Sequence, residues 1–116
     1  MDLIACLSSG KGTWGHVNRI MEDKEFENIY LVTNEFGKEN FHSEKKFNLI
    51  LVNSSSGLRE LRDEIEKQLK DKLKMEVALN IVSGTGKEHM AIMSALLKLG
   101  VGIRLIALTK DGVEEL

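Results

Sequence analysis

Residues 75–89 read Met-Glu-Val-Ala-Leu-Asn-Ile-Val-Ser-Gly-Thr-Gly-Lys-Glu-His. The first half, Met75–Val82, is an apolar run of strand length, the pattern of a strand covered on both faces. Ser83, Gly84, Thr85 and Gly86 break it. From about Lys87 to Leu99 the apolar residues fit a helix, which Gly100 stops. A buried strand that enters a helix through a glycine turn is half of a βαβ unit.

The same grammar recurs on either side. Leu3–Leu7 is a second apolar run, closed by Ser8-Ser9-Gly10-Lys11-Gly12-Thr13-Trp14-Gly15-His16. Trp14, Val17, Ile20 and Met21 place a helix from Trp14 to about Asp23. Ile29–Thr33, Asn48–Val52 and Ile103–Leu108 read as further strands. Leu58, Leu61, Ile65, Leu69 and Leu73 mark one face of a long amphipathic helix. Glu35–Lys46 is polar, a loop with a short helix anchored by Phe36, Phe41 and Phe47, and Thr109–Leu116 reads as a short acidic tail. Strands alternating with helices imply right-handed crossovers and a parallel sheet. The expected fold is therefore α/β, a five-stranded, parallel, doubly wound Rossmann-like sheet of order 3-2-1-4-5. Ligands of such sheets bind beyond the carboxyl ends of the strands where the order reverses, here between strands 1 and 4. The two glycine windows follow those two strands.

Composition narrows the class. The chain has 116 residues, 42% of them hydrophobic and 29% charged, which suits one domain over 1–116 with one core and excludes a disordered chain. It has no proline, so a PPII linker is excluded. The net charge of −2 leaves no basic half, so no duplex nucleic acid is expected as partner. Cys6 is the only cysteine, and no His or Cys pair has ligand spacing, so neither a disulfide nor a metal is expected. No apolar stretch approaches membrane-spanning length. The amino terminus lacks the charged start of a signal peptide. A cytoplasmic protein without membrane contact is expected.

Glycine lets backbone N–H groups converge on an anion, and a helix start adds unpaired N–H groups and a positive dipole end. Ser8, Ser9, Thr13, Ser83 and Thr85 add hydroxyls, and Lys11 and Lys87 add charge. Two such loops suit a ligand with more than one phosphate; as a plainer reading, both are tight turns with capping side chains. Neither window fits the P-loop, because Ile81 and Glu88 stand where Gly86-Lys87 would need a glycine and a hydroxyl. Gly10, Gly12 and Gly15 do match G-x-G-x-x-G, and Glu35 follows 20 residues after Gly15, where a ribose-binding carboxylate belongs. A dinucleotide or mononucleotide cofactor module is the alternative function, and a non-catalytic regulatory domain the plainest one.

Residues 78–91 also resemble the strand-4 motif of CRISPR-associated Rossmann-fold (CARF) domains, Asp/Asn-x-Ser/Thr-x-x-x-Lys/Arg. Ser83 and Lys87 take the Ser/Thr and Lys/Arg positions, while Ile81 stands at the Asp/Asn position with Asn80 before it. The resemblance implies a sensor of cyclic oligoadenylate in antiviral defence, binding its ligand across a homodimer without a cofactor. It implies Ser83, Gly84, Thr85, Gly86 and Lys87 on one side of the ligand and Ser8, Ser9 and Gly10 on the other. With Lys11, Gly12, Thr13 and Trp14 these complete the expected ligand-binding set. Some family members cleave the ring slowly without metal; here that chemistry would fall to Lys87, with Ser83 or Ser9 orienting the ligand. At 116 residues a free-standing domain, without an appended effector domain, is expected.

Some single residues keep more than one reading. Trp14 stacks on a base or packs in the core. His16 and His89 contact phosphate, move a proton, or are ordinary first-turn histidines, and His42 reads as surface. The helix over 87–99 is apolar nearly all round, so its outer side is expected to meet a second copy, with Met90 and Met93 as contacts.

Overall fold

The computed structural model describes residues 1–8 and 10–116. The chain runs β1 (Asp2–Leu7), a 3-10 turn (Lys11–Thr13), α1 (Trp14–Asp23), β2 (Ile29–Thr33), α2 (Glu35–Asn40) and β3 (Asn48–Leu51). It continues as α3 (Leu58–Leu69), β4 (Glu76–Asn80), α4 (Gly86–Lys98), β5 (Gly102–Thr109) and β6 (Gly112–Glu115). The sheet order is β3-β2-β1-β4-β5-β6. The first five strands are parallel, and β6 returns antiparallel to β5.

The expected crossover between β1 and β4 is present, but the sheet has six strands, and the expected acidic tail is its sixth. Thr109 and Gly112 pair across the two-residue turn Lys110-Asp111, and Gly112 takes a φ of +107°. An Asp-Gly pair after an apolar strand is a hairpin signal. Two forces hold β6. Val113 packs beside Ile106 and Leu108, and Arg104 of β5 ion-pairs with Glu115 of β6 and Glu76 of β4. Acidic side chains on this edge also discourage pairing with other chains.

Every residue of β1 is buried, because both faces of the sheet are covered. On one face Ile4, Cys6, Val32 and Ile50 meet Leu61, Ile65 and Leu69 of α3 and Ala91, Ile92, Ala95 and Leu96 of α4. On the other, Leu3, Ala5, Leu7 and Leu31 meet Trp14, Val17, Ile20 and Met21 of α1, with Phe41. Alternate side chains of one strand thus supply two cores. Beyond α4 the covering thins, and Leu105 of β5 is 38% exposed. No helix among the described residues is long and apolar enough to cross a membrane.

Candidate functional site

The two windows touch. The Ser8 backbone N–H, just past β1, donates to Ser83 Oγ, just past β4, at 2.9 Å. Ser83 is buried, and its carbonyl accepts from Nε2 of His89, which therefore carries the ring proton. Ser83 is a joint between the loops, and its hydroxyl oxygen is engaged in holding the first window. Ser9 lies outside the described residues, and so does the orienting role expected of it.

Glycine is needed at Gly84. Its φ of +110° is a conformation that other residues rarely adopt, and an added Cβ would lie 2.7 Å from Cys6 Sγ and 3.1 Å from Glu88 Oε1. The thiol beneath it is no nucleophile: burial, helped by the nearby Glu88 carboxylate, pushes its pKa far up. Gly10, Gly12, Gly15 and Gly86 differ. Among the described residues nothing stands within 4 Å of a Cβ built on any of them, and none has a positive φ. The space above their backbones is open.

The start of α4 is already capped. Thr85 Oγ1 accepts from Glu88 N–H at 3.3 Å, and Glu88 Oε1 accepts from Thr85 N–H at 2.8 Å, a reciprocal capping box. Glu88 also brings negative charge to the end of the dipole that would attract an anion. Thr85 and Glu88 therefore serve the turn first. Lys87 leans toward the loop after β3, where Nζ donates to the Ser56 carbonyl at 2.7 Å. An ammonium has three donors, so two remain for a ligand.

The first window is the more open half. Gly10, Lys11 and Gly12 are exposed and Thr13 is half-buried. Trp14 is 8% exposed. Its indole N–H donates to the Ser8 carbonyl at 2.8 Å, and its ring packs 5.9 Å from Phe36 and 5.7 Å from Phe41. Of its two readings, the core one describes it; the ring braces the window from beneath and is not free to stack on a base. Lys11 Nζ stands 5.5 Å from the Phe36 ring centroid and 6.0 Å from that of Trp14.

His16 also works within the fold. Its Nε2 accepts from the Leu108 backbone N–H at 3.1 Å and lies 3.3 Å from Nδ2 of the buried Asn80, which donates to the Ile106 carbonyl at 2.8 Å. Nε2 is thus unprotonated, and burial lowers the His16 pKa. Asn80 faces α1 through this network, away from Lys87 on the other side of the sheet. Spacing alone did not single out Asn80, Glu88 or Ser56 for these roles. The Thr85-x-x-Glu88 spacing was the available signal for the capping box; no local signal announces the other two. His42 is exposed, as its polar surroundings imply. Among the described residues no group of three His, Cys, Asp or Glu side chains is placed to hold a metal ion. No known family model and no curated protein matches this chain.

Proposed function

We propose that this chain is a nucleotide-ligand-binding domain of the CARF kind, a cytoplasmic sensor of cyclic oligoadenylate that works as a homodimer. The observation that carries the reading is the Ser8–Ser83 hydrogen bond, which joins the loops after β1 and β4 at the point where the strand order reverses. Open backbone at Gly10, Gly12 and Gly86, together with the amines of Lys11 and Lys87, supports a phosphate-rich ligand lying along that joint. Met90 and Leu97 of α4 are 64% and 67% exposed, which supports a second copy docking on this helix.

In its catalytic form the reading needs no cofactor. A ribose 2′-hydroxyl of the ligand attacks the adjacent phosphorus, the P–O5′ bond breaks, and the released 5′-oxygen gains a proton as the 2′-hydroxyl loses one. A 2′,3′-cyclic phosphate end results. Lys87 neutralises charge on the phosphorane, and Ser83 acts indirectly by holding the first window.

Thermal shift with cyclic tetra-adenylate, cyclic hexa-adenylate, NAD and AMP tests the reading. A cyclic oligoadenylate should raise Tm, Lys87→Ala should remove most of that rise, and product analysis reads cleavage. A shift with NAD alone would favour the dinucleotide reading. Against that reading, the third glycine of its fingerprint serves close helix–strand packing, and Gly15 faces open space.

A further inference from the structure

Beside the first window lies a crevice of about 530 Å³ at the carboxyl ends of β2 and β3, lined by residues 34–36 and 51–54. That volume falls in the range of small-ligand sites, roughly 300–1,000 Å³. Phe36 gives it an aromatic side. Lys11 Nζ, 5.5 Å from the centroid of that ring, links the crevice to the glycine window. A phosphate near Lys11 would therefore leave its nucleoside within reach of the crevice.

Two polar groups there, Asn53 and Glu35, are exposed and free to bond a ligand. Asn34 is consumed by the fold, its Oδ1 accepting from Gly37 N–H and its Nδ2 donating to Ser54 Oγ. Asn53 is not. Its Oδ1 accepts one bond, from Ser55 N–H at 2.9 Å, which leaves a lone pair, and its Nδ2 donors have no partner among the described residues. One free acceptor beside free donors on a planar amide matches the N6–H and N7 edge of adenine; guanine presents two acceptors on the corresponding edge. The Glu35 carboxylate, also without a partner among the described residues, suits the hydroxyls of a ribose.

We infer that this crevice is a nucleoside subsite, which takes the adenine base between Phe36 and the 51–54 loop and reads its edge with Asn53. The inference rests on the nucleotide reading of the glycine windows, and it names the half of the ligand those windows leave unread.

The test uses adenosine, guanosine and pyrophosphate, titrated into the full chain and followed by backbone amide chemical shifts. Adenosine should move residues 51–54 and bind about tenfold tighter than guanosine, as expected of a bidentate amide–base pair. Asn53→Asp keeps the Oδ1 acceptor that holds Ser55 and loses the Nδ2 donors. It should weaken adenosine about tenfold and leave Tm unchanged. Phe36→Ala should weaken both nucleosides. Equal binding of adenosine and guanosine, or indifference to Asn53→Asp, overturns the subsite. So does pyrophosphate binding without adenosine binding, which leaves the window reading intact. Adenosine binding with the expected losses, but no response to pyrophosphate or cyclic oligoadenylate, sustains the subsite and removes the window reading.

Discussion

Gly84 and His16 show how much single positions in this protein owe to their surroundings. At Gly84 the backbone itself is the constraint, with a φ of +110° and a thiol where a Cβ would go. Gly84→Ala should lower unfolding free energy by about 1–3 kcal/mol, whereas Gly12→Ala, in open space, should change it by less than about 1 kcal/mol. Urea titration of the two variants separates a glycine required by the fold from one that leaves room for a ligand. His16 makes stability depend on pH. Its folded pKa lies below the ordinary 6.5 because partial burial penalises the charged ring. As pH falls the unfolded chain therefore takes up the proton first. Its contribution is whole above about pH 6.5, declines below it, and levels off once the folded ring also protonates. Unfolding free energies from pH 8 to 5 should show this decline in the native chain, and a shallower one in His16→Gln. The sequence put a histidine beside the first window. It could not say that the ring would point at a backbone N–H of a strand 92 residues away.

Elements were legible to different degrees, for a physical reason. β1, β2 and β4 are interior strands whose apolar runs have no other use, and the periodic faces of α1 and α3 are as plain. β6 was missed because an edge strand needs only one face and here buries mainly Val113 among charged neighbours. Its Asp111-Gly112 pair, where the turn meets the strand, was the signal that remained. Because Val113 is the apolar anchor of the hairpin, Val113→Asp should loosen β6 and speed amide hydrogen exchange over residues 106–109. Amides of β1 should keep their protection. β4 is also shorter than its apolar run, ending at Asn80; the chain beyond it serves the joint with β1, where Ser83 meets Ser8.

At the scale of the whole molecule, α4 presents an exposed apolar face. Met90 and Leu97 lie seven residues apart on one helix, so they share a face. Leu105 is exposed on the strand beside it, on the same side of the sheet as Ile103, which packs with the α4 core. Sedimentation should find a dimer at micromolar concentration, and Leu97→Glu should give a folded monomer whose Tm is lowered by the lost association; a monomeric native chain would remove the two-fold site. The sequence by itself determined the alternation of strands and helices, the parallel order around β1 and β4, and the two glycine windows near its reversal, because burial on both faces and loop chemistry are written locally. Only the tertiary structure decided what the windows hold. Ser83, Thr85, Trp14 and His16 could each have faced a ligand, and they turn instead to Ser8, Glu88, the core and Leu108. A polar side chain bonds whatever the fold brings within about 3 Å, and that neighbour is set by packing between segments far apart in the chain.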